Sequence, residues 1–183
     1  MKNKFIIILP ALTVAASICC VQFIHAAENE EQSSGEKSNS KSSLSSADKR
    51  FVNNAAKGGM MEVAGGRQAS DRAQNNDVRQ FGARMVRDHT KANNELMGIA
   101  QRKGISIPKE EPSVKFKSDR DYMDMMVKDH QKDLAEFQQE AKSGSDPDLK
   151  RFADKTSRVI AEHLTQAQRI QKTLKGSTSN LVR

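Results

Sequence analysis

Residues 76–104 read NDVRQFGARMVRDHTKANNELMGIAQRKG. Val78, Phe81, Met85, His89, Ala92, Leu96 and Ile99 recur in it at steps of three and four, the period of a helix with one apolar face. Asn76-Asp77 can accept hydrogen bonds from the orphan amides of a first turn, and Gly104 suits the left-handed residue that closes a last one. The apolar face carries a histidine at its centre, and both the fold and the candidate site follow from that position.

Three further segments share this grammar. One opens near Ser46 to Asp48 and runs to about Ala73; a third begins with Ser118-Asp119-Arg120-Asp121, close to a capping box, and ends at Gly144; a fourth opens on Asp146-Pro147 and ends by Gly176. Aromatic residues make up 4% of the 183 residues and there are only 4 Pro, which argues against a β-sandwich, while Ala, Met, Gln, Lys, Arg and Glu suit helices. The expected fold class is all-α, a four-helix bundle with helices of ~37 to 43 Å. Short connections make hairpins of helices one and two and of three and four. The segment Ile105 to Lys117 could span about 43–47 Å if extended, so an up-and-down bundle and one with a crossover both fit.

Histidines lie on three of the apolar faces. Met85-Val86-Arg87-Asp88-His89 reappears 41 residues later as Met126-Val127-Lys128-Asp129-His130, and Lys91 and Glu95 recur as Lys132 and Glu136. His130 shares a face with Met123, Met126, Leu134, Phe137 and Ala141; His163 shares one with Leu149, Phe152, Thr156, Val159, Ala167, Ile170 and Leu174. The first helix offers Glu62 on a face with Phe51, Ala55, Gly58, Gly66 and Ala69, with Gly59 and Gly65 alongside. Four interior glycines at about 0.5–1 kcal/mol each imply close packing of a neighbour against the backbone.

Height along the bundle links these four residues. With helices over 48–73, 75–103, 118–142 and 147–174, the midpoints fall near positions 60, 89, 130 and 160. A residue at mid-helix stays at mid-bundle whichever way its helix runs, so Glu62, His89, His130 and His163 are expected in one layer. Imidazoles and a carboxylate meeting in a dry layer have the composition of a transition-metal site, for zinc, copper, manganese or iron. The competing reading is a closed Glu-His network that sets helix register without an ion. Asp88, Asp129 and Glu162, each preceding a histidine, point about 100° away and are expected to orient imidazoles on neighbouring helices or to face solvent. Met85 and Met126, four positions before His89 and His130, suit a copper(I) variant of the site or simple core filling.

These residues resemble a known family. Phe51 with the run GGMMEVAGG at 58–66, Phe81-Gly-Ala-Arg-Met-Val-Arg-Asp-His89-Thr90, His130 with Phe137, and Phe152-Ala153 followed by His163-Leu164 are similar to DUF4142, an exported bacterial domain of unknown function grouped with ferritin-like bundles and often labelled an outer membrane protein. The resemblance covers residues 46–174. It implies a ferritin-like bundle with the crossover between helices two and three, and no established activity. Diiron bundles carry Glu-x-x-His pairs, but Val86, Val127 and Ile160 stand three before the histidines here, which argues against diiron chemistry and iron storage.

The amino terminus has export chemistry. Lys2 and Lys4 precede an apolar run from Phe5 to Ile24, then His25-Ala26-Ala27 and a polar stretch, so residues 1–27 are expected to be a signal peptide cleaved after Ala26 or Ala27. Twenty apolar residues also suit a retained anchor; Pro10 and the Ala pair favour cleavage. Cys19 and Cys20 both lie in this segment, so the exported part has no thiol, and Ile18 before Cys19 disfavours lipidation. Residues 28–45 are expected to form a disordered polar linker, 46–176 the bundle and 177–183 a disordered tail. The net charge is +7; two basic and no acidic residues precede position 28, which leaves +5 on the exported part. That surplus is compatible with an envelope or membrane surface as partner. There is no phosphate loop, no thiol nucleophile and no aromatic platform for nucleic acid, so neither an enzyme class nor nucleic-acid binding is implied.

Overall fold

A computed structural model describes residues 44–107 and 112–179. The expected signal peptide, linker residues 28–43 and residues 180–183 lie outside the described residues. Four helices and no strand occur among the described residues: α1 Ser46–Arg72, α2 Asn76–Arg102, α3 Asp119–Ser143 and α4 Pro147–Ser179. Each start is capped by side chain. Ser45 and Asp48 form a reciprocal capping box on α1, Asn75 accepts from Asp77 and Val78 amides on α2, and the Ser118 hydroxyl accepts from Asp121 on α3.

Cross-helix bonds give the topology. Asn54 of α1 donates to Glu136 near the end of α3, while the Asn75 amide after α1 donates to Asp119 at the start of α3, so α1 and α3 are antiparallel. Glu95 with Lys155 and Arg84 with Gln166 make α2 and α4 antiparallel in the same way. The end of α2 and the start of α3 therefore lie at opposite ends of the bundle. Lys103 pairs with Asp146 at one end; Ile105 and Ile107 pack on the core there, and Phe116 packs on the core at the other. This is the crossover, and it follows from pairing α1 with α2 and α3 with α4 as hairpins.

The core is divided. Leu44, Phe51, Val52, Leu96, Ile99, Phe137, Leu149, Phe152 and Ile160 form an upper cluster near the Ser45 end; Ala69, Val78, Phe81, Met85, Tyr122, Met123, Met126, Ala167 and Ile170 form a lower one. Between them lie the buried Glu62, His89, His130 and His163. Two boundaries differ from the sequence expectation. Leu44, assigned to the linker, is buried at 7% exposure because the Ser45 cap turns the chain back over the upper core. Helix α4 continues past Gly176 to Ser179, since Gly176 does not take the left-handed conformation that Gly104 does at φ 69°.

Gly66 of α1 and Gly82 of α2 serve the α1–α2 contact. A Cβ on Gly66 would meet the Gly82 carbonyl oxygen at 2.8 Å, and one on Gly82 would meet the Gly66 oxygen and the Ser70 nitrogen at 2.7 Å. Backbone cannot yield there as a side chain can. Gly82→Ala is expected to cost about 1–3 kcal/mol despite the better helix propensity of Ala. Gly58, whose Cβ would find nothing nearer than 3.9 Å, is expected to gain about 0.5–1 kcal/mol on replacement by Ala. Thermal melts of the two variants check the opposite signs.

An acidic layer closes the upper end. Asp48 accepts from the Ser145 amide at 2.9 Å and ties the start of α1 to the α3–α4 turn, and Glu140 faces it. Burial, then the Asp48 charge and a hydrogen bond to it, push the Glu140 carboxyl up to about 7 from 4.5, so the fold prefers it protonated. The stabilisation from this group is complete below about pH 4.5 and is lost as pH rises through about 7. Glu140→Gln is therefore expected to be more stable than wild type at pH 8 by about 1–2 kcal/mol, after allowance for solvent screening at the bundle end, and indistinguishable from it at pH 4. Denaturant titrations at the two pH values measure the difference.

Candidate metal centre

All four expected side chains lie in the layer between the two apolar clusters, one from each helix. The imidazoles of His89, His130 and His163 form a triangle with ring centroids 5.7, 5.3 and 5.5 Å apart. One nitrogen of each lies within 4.8 Å of the others, and His130 and His163 are fully buried. Phe81 of α2 sits 6.4 Å from the rings of His130 and of His163 and walls the triangle on the lower side.

Each ring is held by one nitrogen. His89 Nδ1 lies 2.8 Å from Glu62 Oε2, His130 Nδ1 lies 3.0 Å from the Met126 carbonyl oxygen, and His163 Nε2 lies 2.9 Å from Asp88 Oδ2. Carbonyls and carboxylates only accept, so each of these nitrogens donates. The other three, His89 Nε2, His130 Nε2 and His163 Nδ1, are buried and have no hydrogen-bond partner among the described residues. Two of the holders follow from sequence position: the Met126 carbonyl is one turn before His130, and Asp88, the residue before His89, reaches across to His163 on α4.

Glu62 stands beside the triangle rather than in it. Its Oε2 is against His89 Nδ1 and its Oε1 is 3.3 Å from His130 Nδ1, the nitrogens already engaged in donation. The sequence reading counted it as a fourth ligand; in this structure its carboxylate lies against the held nitrogens of two imidazoles. The height argument located it at the right level, but mid-helix position says nothing about which ring atom a carboxylate meets.

Electrostatics follow from burial and these contacts. Burial opposes ionisation of Glu62, but His89, its hydrogen bond, His130 and His163 together hold the carboxyl below its ordinary value. His89 goes the opposite way from its burial, raised by Glu62, whereas burial lowers His130, and pushes His163 down to about 4 despite Asp88. At neutral pH His163 is a neutral imidazole, the ligand form.

Around the site, Arg84 braces Asp88 at 3.2 Å and also binds Glu162 and Gln166. It was not singled out from sequence, although its i,i+4 spacing from Asp88 was visible. Glu162 is exposed and pairs with Arg84, and Asp129 lines a groove of about 150 Å³ between α1 and α3 with Glu62, Met126 and Asp133. Asp133 was also missed. Burial and the Glu62 charge push it up to about 7.

The family model described as "Domain of unknown function (DUF4142)" matches residues 33–170. The chain belongs to the DUF4142 family. No curated protein matches it. Among solved structures, the DUF4142 chain is similar to a DUF305 fragment from Deinococcus radiodurans, with 13% identity, 71% of this chain and 98% of that one covered, and a TM-score of 0.60. It is also similar to a conserved hypothetical protein from Mycobacterium tuberculosis, with 15% identity, coverages of 69% and 92% and a TM-score of 0.59. A third likeness is to a two-domain protein from Anabaena variabilis containing DJ-1/ThiJ/PfpI-like and ferritin-like domains, with 13% identity, coverages of 73% and 39% and a TM-score of 0.58. At these identities the likeness concerns the fold, a ferritin-like four-helix bundle.

Proposed function

We propose that this DUF4142 protein binds one transition-metal ion through His89, His130 and His163, with Glu62, the Met126 carbonyl and Asp88 orienting the three rings. The observation that carries the reading is the trio of buried, unpartnered imidazole nitrogens, each on a ring whose other nitrogen is fixed by an acceptor. Three buried lone pairs without donors are costly in a bundle core, and a metal ion satisfies all three at once. Acceptor-fixed imidazoles are the usual outer arrangement of histidine-ligated metals. Three nitrogen ligands suit zinc, copper or iron, and manganese less well, since it prefers oxygen. No chemistry requiring a second metal is part of the reading, because the donor set has no inward Glu-x-x-His pair.

The second reading keeps the layer metal-free. The Glu62–His89 contact at 2.8 Å favours it, because that pair forms without an ion. Export and an envelope surface as partner belong to the proposal as well, supported by the amino-terminal sequence and the positive charge; no helix of the described residues is long and apolar enough to cross a membrane.

Metal analysis of protein purified without a histidine tag separates the readings. The proposal expects about one ion per chain and a melting temperature that rises with added metal, by the equivalent of ~2.7 kcal/mol at a hundredfold excess over Kd. Metal-free protein whose melting is unmoved by zinc, copper, manganese and iron would establish the closed network instead.

A further inference from the structure

Three buried carboxylates meet where α1 begins and α3 turns into α4: Asp48 at 1% exposure, Glu140 at 6% and Asp146 at 9%. Two of them are engaged on both oxygens. Asp48 accepts from the Ser145 amide at 2.9 Å on Oδ1 and from the Ser45 amide at 3.3 Å on Oδ2. Asp146 caps α4 by accepting from the Asp148 and Leu149 amides, and Lys103 pairs with its other oxygen at 2.5 Å. Glu140 differs. Its Oε1 is buried without a partner among the described residues, and its carboxyl shares a hydrogen bond with Asp48. Two carboxyl groups share such a bond only when one carries a proton. Asp48 is held as an acceptor by two amides, so the proton belongs to Glu140.

The surrounding charges leave that proton without a substitute. Glu140 of α3 faces Asp48 from α1 and Asp146 at the entry to α4, both negative, and Lys150 from α4. The Lys150 ammonium donates to the Lys142 carbonyl, and Lys103 at the end of α2 is taken by Asp146 and Asp148. Among the described residues no cation is bonded to Glu140.

The two sides of the contact are unequally fastened. On the turn side, the Gly144 amide donates to the Glu140 carbonyl at 2.8 Å, and the Asp146 cap is pinned by Lys103. On α1, the Phe51 ring is fixed against Phe137 and Phe152. Above Phe51, residues 44–50 are bonded to the other helices only through the Asp48 carboxyl, among the described residues, and by the packing of Leu44. We infer that the Glu140 proton is a latch: its loss sets two carboxylates against each other and frees the first turn of α1, with Leu44, while the bundle below Phe51 stays closed. Like charges in a buried pair supply the force, and the least fastened segment yields. The Glu140 carboxyl titrates at about 7, above its ordinary 4.5, so the latch is fully closed below about pH 4.5 and weakens as pH rises through 7.

Amide hydrogen exchange on the full chain, expressed as protection relative to intrinsic rates, tests this. The Asp48, Lys49 and Ser145 amides bond to Ser45 Oγ, the Ser45 carbonyl and Asp48 Oδ1, so all three are released when the turn opens. Their protection is expected to fall about tenfold from pH 6 to pH 8. At both pH values it lies well below that of Leu96, a buried residue of α2 that exchanges through global unfolding. In Glu140→Gln, whose side-chain amide donates to Asp48 at every pH, the three protections stay level across the range. Protection of these amides that does not change with pH in wild type overturns the latch. So does protection equal to that of Leu96, because the turn then opens only when the whole bundle unfolds, and so does the same pH dependence in Glu140→Gln.

Discussion

His130→Gln is expected to abolish stoichiometric metal binding: after dialysis the variant retains none of the one ion per chain expected of wild type. His130 is fully buried, its Nδ1 is committed to the Met126 carbonyl, and its Nε2 is one of the three buried ring nitrogens without a partner among the described residues. Two imidazoles do not complete a centre, and Gln cannot replace the lost lone pair at that reach. The orienting residues behave differently. Glu62→Gln and Asp88→Asn are expected to lower affinity by about 10–100-fold while still reaching one ion per chain at saturating metal. Competition titrations with a chromophoric chelator measure both quantities. If Glu62→Gln instead loses stoichiometry as His130→Gln does, the carboxylate is a ligand and must swing from its place behind His89.

Phe51→Ala is expected to cost about 3–5 kcal/mol. Its ring lies 5.0 Å from Phe137 and 6.4 Å from Phe152, in edge-to-face contacts that join α1, α3 and α4 in the upper cluster. Removing it leaves a void that three rigid helices cannot close. For a domain of this size the melting temperature falls by roughly 8–20 °C. The upper cluster is separate from the histidine layer, so the increment on adding metal should match that of wild type within about 0.5 kcal/mol. A loss under 1 kcal/mol would mean that the aromatic trio contributes little to the fold; an altered metal increment would mean that the layer and the cluster are coupled.

The legibility of this protein varied with the kind of question. The faces of α2 and α3 were readable because burial of one helical face imposes a period on the residues that occupy it: Val78, Phe81, Met85, His89, Leu96 and Ile99 are all buried. Helix starts were readable to within a residue or two, since short polar side chains do local chemistry with first-turn amides, although the caps are Ser45 and Asn75 rather than the Ser46 to Asp48 and Asn76-Asp77 read from the sequence. The layer of Glu62 and three histidines was readable for a simpler reason: helical rise is constant, so counting residues measures height.

Rotation and reach were not readable in that way. Spacing along each helix placed Glu62 level with the imidazoles, but its position behind His89 and His130 depends on how closely α1 settles on α2, which the Gly66–Gly82 backbone contact determines. Leu44 was invisible as a core residue because a single apolar side chain in a polar run has no period, and only the turn at Ser45 carries it inward. Sequence alone thus determined the apolar faces of the helices and the level of Glu62 and the three histidines, because those depend on local periodicity and constant rise. Which nitrogens are bonded and which are left free was decided by tertiary packing, because that depends on distances between helices that no spacing within one helix encodes.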